Sequence, residues 1–325
     1  MRMFAFDPAE YRQRYQDDGW IHVRNGLSPE FHAALREFVS RRAREARVEG
    51  VAVYGEKQQA LYEFPAEVDF PGELFDVVSA VTGLNRPTMT LSERHIKAYD
   101  ADANPEPNAH KDRFASQCSI GLSIDIPEES RLILYPLDHV SVNPFNISSA
   151  FRLSLDPEQR PEQVLPEARE VEIDDAGGDV VMFPGNAVWH LRRKSAGAVN
   201  LYLKLNDFNS DPLSEDPTTA ERHERTLALL AAGDGLGSAV PVFGRRMDGV
   251  TQQHTRDGQE LLQALVWEPD PIPIPLTDTQ FRFLRAVDGS RNLDELAREL
   301  GTELRELEPD LQRLASRGAI ELEQR

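Results

Sequence analysis

From about residue 88 to residue 207 the chain alternates short apolar runs with Pro, Asn and Gly. The runs fall at 94–99, 108–113, 117–126, 131–136, 148–154, 169–173, 179–183, 187–192 and 198–205. Many short strands at this spacing predict a sandwich or barrel. Ahead of it, residues 8–47 read as a helix, a short strand at Gly19-Trp20-Ile21-His22-Val23 and a second helix. Ser28-Pro29-Glu30 caps that second helix and places proline at its first position. Residues 73–83 add a further helix, so the expected class is mainly β with flanking helices.

The pattern changes after Asn206-Asp207. Residues 216–232 read as a helix, 233–249 as a Gly-rich stretch and 258–268 as a further ordered element. Pro269-Asp-Pro-Ile-Pro-Ile-Pro275 reads as an extended linker, because alternate prolines favour polyproline II. Helical patterns at 277–287, 292–301 and 303–317 then lead into a terminal strand at Gly318-Ala-Ile-Glu-Leu. The expected organisation is a β domain over 1–207, a connector over 208–275 and a winged-helix-like α+β module over 276–325.

Composition narrows the function. Among 325 residues, 36 basic against 55 acidic side chains give a formal charge of −19, which repels phosphate backbones and argues against nucleic acid as a partner. The last module follows suit, with 8 Arg, no Lys and 11 acidic residues over 276–325, which fits protein or peptide binding, or dimerisation, better than DNA. No run approaches a membrane span, and Met-Arg-Met-Phe-Ala-Phe-Asp-Pro lacks the apolar stretch of a secretory signal. A single cysteine, Cys118, provides no disulfide framework or thiolate metal site and suits a reducing cytoplasm.

The chemistry concentrates in His110-Lys111-Asp112 and, about eighty residues later, in Gly178-Asp-Val-Val-Met-Phe-Pro-Gly-Asn-Ala-Val-Trp-His190. On a strand, His110 and Asp112 share a face. His190 follows the strand-like segment 179–183 and a Pro184-Gly185-Asn186 turn, so it arrives on a neighbouring strand. Two imidazoles and a carboxylate form the facial triad of non-haem Fe(II), which leaves positions open for a bidentate 2-oxo acid and O₂. The competing reading makes Asp112 a carboxylate paired with Lys111 or Arg113, and His190 a core histidine beside Trp189.

With these pieces the sequence resembles the Fe(II)/2-oxoglutarate-dependent oxygenases, in the phytanoyl-CoA-dioxygenase-like branch. The matching residues are Tyr11, Asp18-Gly19-Trp20-Ile21, Asn25-Gly26-Leu27, His110-Lys-Asp112, Leu132-Ile-Leu-Tyr-Pro136 and the Gly178…His190 segment, spread over about 8–207. The resemblance implies a double-stranded β-helix (jelly-roll) barrel with iron at one mouth. A barrel followed by a winged helix is also, more loosely, the arrangement of bacterial ribosomal-protein oxygenases. The family places Arg or Lys about ten residues after the distal histidine to hold the far carboxylate of 2-oxoglutarate, and Asn200 stands there instead. Arg192 and Arg193 fall too early, on the histidine's own strand, which leaves Arg131 and Lys204 as the candidate cosubstrate-binding residues.

Other residues carry less. His95 and His139 read as structural or surface groups, and Trp189 as a wall aromatic. Ser119 and Gln117 could touch cosubstrate only from an inward face. Residues 51–64 precede the barrel and could cover its mouth, with Lys57 and Gln58 as candidate substrate contacts, though an ordinary surface hairpin or helix is the simpler reading. The expected activity is hydroxylation of an unactivated C–H on an amino-acid side chain of a peptide or protein, β-hydroxylation of aspartate in a peptide natural product being one version, or on a small metabolite. A homodimer is compatible with the sequence. The alternatives are a cupin-type iron enzyme that does not use 2-oxoglutarate, favoured by Asn200, and a non-catalytic binding protein on a degenerate barrel. Halogenation is disfavoured because Asp112 fills the position halide needs.

Overall fold

The computed structural model describes residues 1–49, 57–268 and 270–324. The chain divides into two compact units, Met1–Phe208 and Asn209–Arg325. The stretch 208–275, expected as a connector, lies almost wholly in the second.

In the first unit α1 (Arg12–Asp18) leads to β1 (Ile21–Val23), α2 (Pro29–Glu49), β2 (Lys57–Leu61) and α3 (Phe70–Thr82). There follow β3 (Thr90–Tyr99), β4 (Cys118–Asp125), β5 (Arg131–Tyr135), α4 (Ser148–Ser154), α5 (Pro161–Val164), β6 (Val171–Ile173), β7 (Val180–Phe183), β8 (Trp189–Arg193) and β9 (Val199–Asn206). One antiparallel sheet runs β1-β7-β4-β9-β3-β2 and a second β6-β5-β8. A single bridge pairs His110 with His190, which adds the 110 segment beside β8. From β3 onward the chain passes back and forth between the two sheets in jelly-roll fashion, with β5 and β6 following each other in the smaller one.

The alternation within each strand decides what lies between the sheets. On β4, Cys118, Ile120, Leu122 and Ile124 join the apolar cluster formed with Phe31, Leu35 and Phe38 of α2 and Leu74, Val77, Val78 and Val81 of α3. On β9, Leu201, Leu203 and Leu205 do the same. The helices therefore cover the outside of the large sheet and use up its apolar face. The opposite faces carry Ser119 and Ser123 on β4, and Asn200, Tyr202, Lys204 and Asn206 on β9, and these side chains point into the barrel. At the β5–β6–β7 side an apolar plug forms, from Leu132, Leu134, Ile173, Val181, Phe183 and Val188. A polar interior of this kind is a site rather than a core.

Two segments differ from the sequence expectation. Residues 148–154 form the helix α4 instead of a strand. Their apparent alternation reduces to one buried anchor, Phe151, packed on Trp189 at 5.7 Å between ring centres. The 108–113 segment contributes only the His110 bridge, not a full strand.

The second unit contains α6 (Pro217–Ala232), β10 (Val240–Phe243), β11 (Met247–His254), β12 (Glu260–Glu268), β13 (Asp270–Pro275), α7 (Asp278–Ala286), α8 (Leu293–Leu300), α9 (Leu304–Ser316) and β14 (Ile320–Glu323). The expected polyproline linker is β13, paired with β12. Pro271, Pro273 and Pro275 fall at alternate positions, and Leu276 N donates to Leu262 O in the same register. The prolines therefore sit where no donor to β12 is needed, and they leave the outer edge poor in N–H groups, which blocks strand addition. The α7, α8 and α9 helices pack as one apolar cluster with Ile320 and Leu322 of β14, and capping boxes at Thr277/Gln280 and Asn292/Glu295 start α7 and α8.

A buried carboxyl marks this unit. Asp211 accepts from the Glu215 and Asp216 backbone N–H groups and from the Thr219 hydroxyl, yet burial and neighbouring Asp216 push its pKa up to about 6. The folded state then holds a proton that the unfolded chain has already released near pH 4. Stability from this group is thus lost as pH rises from about 4 to about 6, by about 3 kcal/mol in all. Asp211→Asn costs a hydrogen bond at every pH but removes that dependence. Denaturant unfolding at pH 4 and pH 7 should show the wild type losing about 3 kcal/mol relative to the variant over the interval.

Candidate metal centre

His110, Asp112 and His190 each offer one ligand atom, and these atoms all lie within 4.8 Å of one another. His110 is the exposed member, while Asp112 and His190 are buried. The backbone brings them together. His110 N donates to His190 O at 3.0 Å, His190 N donates back to His110 O at 2.9 Å, and Asp112 N donates to Gly185 O at 2.9 Å. Gly185 must be glycine, since a Cβ there would overlap both Ser119 Oγ and the Asp112 carboxylate. Behind the triad, the Lys111 ammonium donates to His139 O at 2.5 Å and Ser141 O at 2.6 Å. It lies 5.1 and 4.9 Å from the centres of the Phe151 and Trp189 rings. Lys111 thus points away from its neighbours' site and ties the 137–141 loop to the ligand segment.

The electrostatics suit a cation. His190 Nδ1 lies 3.0 Å from Val188 O, which fixes Nδ1 as the protonated nitrogen and turns Nε2 towards Asp112, 3.7 Å from its Oδ2. Burial lowers the His190 pKa, and Lys204 lowers it further against the opposing pull of Asp112, so the ring stays neutral and ligand-competent. Burial alone would raise the Asp112 pKa, but Lys204 and the two histidines hold it well below the usual carboxylate range. Ser119 Oγ donates to Asp112 Oδ2 at 2.7 Å, and the Lys204 ammonium contacts the same oxygen and lies 3.1 Å from Ser119 Oγ. A buried carboxylate that gathers a cation and a hydroxyl while two neutral imidazoles stand beside it is a donor set for a divalent metal. It fits Fe(II).

Of the two basic residues considered for cosubstrate, Lys204 lies in the barrel beside the triad. Arg131 registers opposite Arg193 on the outer face of β5, and its guanidinium donates to the carbonyls of Glu128 at 2.5 Å and Ser130 at 2.7 Å. The structure therefore does not bring Arg131 to the site. The inward cation on that side is Arg192, two residues after His190 on the same face of β8, buried and bidentate to Asp175 at 3.1 and 2.8 Å. Period-two alternation from His190 would have found it. Asn200, buried in the interior between Lys97 and Ser123 in register, has neither amide atom hydrogen-bonded among the described residues, and the Arg192 Nε is likewise without a partner among them. Buried donors and an acceptor of this kind suit contact with a polar ligand.

A second group also escaped the sequence reading. Glu93 pairs in register with Lys204, and its carboxylate lies 3.1 Å from Lys97 Nζ, 3.4 Å from His95 Nδ1 and 3.7 Å from Arg113 Nη2. His95, expected on a surface or in the core, is inside the barrel and contacts Gln59 Nε2 at 2.7 Å. His139 is exposed. Gln117 accepts from Asp207 N at 2.9 Å and plays no part in the site. Residues 51–56 of the suggested lid, and the Lys57 side chain, lie outside the described residues; the Gln58 amide is exposed and 3.4 Å from Asp100 Oδ1. Among the described residues no helix is long and apolar enough to cross a membrane.

No family model matches the sequence, and no curated protein matches it either. Solved structures share part of its topology. The non-heme alpha ketoglutarate dependent carbocyclase SnoK from nogalamycin biosynthesis is 15% identical, over 61% of this chain and 83% of its own, with a TM-score of 0.46. EctD from S. alaskensis, solved with bound Fe, is 12% identical over 63% of this chain and 83% of its own, with a TM-score of 0.43. HygX from Streptomyces hygroscopicus, solved with nickel and 2-oxoglutarate bound, is 11% identical over 64% of this chain and 89% of its own, with a TM-score of 0.42. At these identities and scores the likeness is one of partial topology, and the chemistry must be carried by the side chains themselves.

Proposed function

We propose that the protein is a non-haem Fe(II)- and 2-oxoglutarate-dependent oxygenase that hydroxylates an unactivated C–H bond. The observation that carries this is the His110/Asp112/His190 set at the end of a barrel whose interior is polar because its apolar alternation is spent on the outer helices. The phytanoyl-CoA-dioxygenase-like motifs support the same reading. Iron with 2-oxoglutarate and O₂ would supply an oxidant able to take hydrogen from carbon, one oxygen atom of O₂ ending in succinate as CO₂ leaves and the other in the hydroxylated product.

The chain's own residues do the rest. His110, Asp112 and His190 would hold the metal on one face. Ser119 and Lys204 both engage Oδ2 of the Asp112 carboxylate and hold the group in place beside His190. Lys204 and Arg192 point into the interior and give a dicarboxylate cationic contacts, with the unpaired Asn200 amide as a further one. Burial of this pocket keeps bulk water from the polar groups and strengthens their fields. The substrate class we favour is an amino-acid side chain in a peptide or protein, or a small metabolite.

The test is turnover. Protein supplied with Fe(II), 2-oxoglutarate and O₂ is expected to form succinate slowly even without substrate, and His110→Ala is expected to lower that rate at least about 100-fold, the loss of one first-rank electrostatic contribution. Equal succinate formation by both proteins would contradict the proposal. Iron binding without any use of 2-oxoglutarate would favour the cupin-type alternative to which Asn200 points.

A further inference from the structure

We infer that the wall formed by Glu93, Lys97 and Arg113 receives a carboxylate of the substrate, so that the enzyme acts on an anionic molecule or side chain. The inference rests on the reading of the site as an iron–2-oxoglutarate centre. Its first support is Arg113. This guanidinium directly follows the ligand Asp112 in sequence and has a side-chain exposure of 23%. Among the described residues it makes no hydrogen bond and meets Glu93 only at 3.7 Å. A planar fork of donors left unspent beside a metal ligand matches a carboxylate in bidentate geometry.

The second support is charge balance. Lys97, Arg113 and Lys204 bring three positive charges to the interior, against two negative ones from Glu93 and Asp112. Arg192 and Asp175 neutralise each other at the floor. A divalent metal adds two positive charges and 2-oxoglutarate removes two. One positive charge therefore remains without a counter-ion in a low-dielectric cavity, where an unpaired charge is costly. This excess stands out in a chain whose overall charge is −19.

The arrangement also says where the anion sits. Glu93 is 6% exposed and already surrounded, and Lys97 is 16% exposed and spans from Glu93 to the Tyr202 ring, 5.2 Å from its centre. Burial alone would raise the Glu93 pKa, but Lys97, His95, Lys204 and Arg113 hold it well below the usual range, so Glu93 is a fixed anion. It fixes Lys97 in place and leaves Arg113, the most open member, to meet the incoming ligand. A substrate carboxylate on Arg113 lies beside the segment that holds the metal.

The experiment uses the full chain loaded anaerobically with Fe(II) and 2-oxoglutarate, whose visible charge-transfer band reports both ligands. Acetate and butyrate are titrated against acetamide and butyramide. The expected result is a shift of the band, without loss of intensity, at concentrations at least tenfold lower for the acids than for their amides. Arg113→Gln should abolish that preference, and Arg113→Lys, which keeps the charge without the planar fork, should retain only part of it; Arg113→Met replaces the Gln variant if that variant does not fold. Equal responses to acid and amide, no response to the acids, or bleaching that marks displacement of 2-oxoglutarate would overturn the inference while leaving the iron–2-oxoglutarate reading intact. Failure of the wild-type band to form would instead overturn that underlying reading.

Discussion

Asp112→Ala is expected to abolish Fe(II) binding and, in addition, to destabilise the metal-free protein by about 3 kcal/mol. Two consequences follow from one carboxylate because it serves two partners. Towards the metal it is the anionic member of the triad, and its loss leaves two neutral imidazoles. Towards the barrel it is the counter-ion of Lys204, whose ammonium is 3% exposed. Removing one partner of a buried pair strands the other, whereas replacing both with apolar groups can be close to neutral. The figure sits at the low end of the usual range because Ser119 and Glu93 remain near the stranded ammonium. The double variant Asp112→Ala/Lys204→Met should therefore regain most of the stability and none of the iron binding. His110→Ala, at the exposed member, should lose iron with little cost to folding. Denaturant unfolding of the four metal-free proteins, with iron binding measured alongside, checks this. An Asp112→Ala protein as stable as the wild type would show that the Lys204 pair carries no folding energy.

The second large effect is expected at the floor of the barrel. Arg192 and Asp175 have side-chain exposures of 3% and 1% and form a bidentate pair, with Ser123 Oγ donating to Asp175 Oδ2 at 2.6 Å. Asp175→Ala leaves a guanidinium buried among polar groups that cannot neutralise it, and should cost about 3–5 kcal/mol. Arg192→Met/Asp175→Leu should fold far better than either single variant, since both charges leave together. That double variant also separates folding from ligand binding. It should still bind Fe(II), because the triad lies elsewhere, but should bind 2-oxoglutarate at least tenfold more weakly if the floor contributes a charged hydrogen bond, worth about 1.5–3 kcal/mol. Unchanged 2-oxoglutarate affinity would remove the floor from cosubstrate binding and leave Lys204 as its cationic contact.

The triad was legible in the sequence because metal ligation depends on residue type and on short spacings that survive without a structure. His110 and Asp112 needed only period two, and His190 needed only a strand and a turn before it. The strand pattern of residues 88–207 was legible for the same reason, since each run keeps an apolar face against the helices. Local pattern failed where tertiary context decides. Ser148–Ser154 alternates like a strand, but its single anchor, Phe151, folds it as a helix on Trp189. The alternate prolines of 269–275 read as a linker because the partner strand β12, which accepts them as an edge, is invisible in that window. The cosubstrate residues were hardest. Arg131 and Arg192 both sit on strands of the small sheet, and the sequence does not say which face of β5 turns inward. The register Arg131↔Arg193 and Leu132↔Arg192 settles it, putting Arg131 outside and Arg192 inside. The Glu93, Lys97 and Arg113 group was hidden because its members come from β3 and from the ligand segment, which meet only once the barrel closes.

The most direct test of the iron–2-oxoglutarate site is an anaerobic titration. Fe(II) and then 2-oxoglutarate are added to the metal-free protein while the visible spectrum is recorded. The expected result is a weak charge-transfer band near the middle of the visible range, saturating at one iron and one 2-oxoglutarate per chain, and absent in His110→Ala. Iron binding without that band, or a band that persists unchanged in His110→Ala, would contradict the assignment of His110, Asp112 and His190 as an iron site that presents open positions to 2-oxoglutarate.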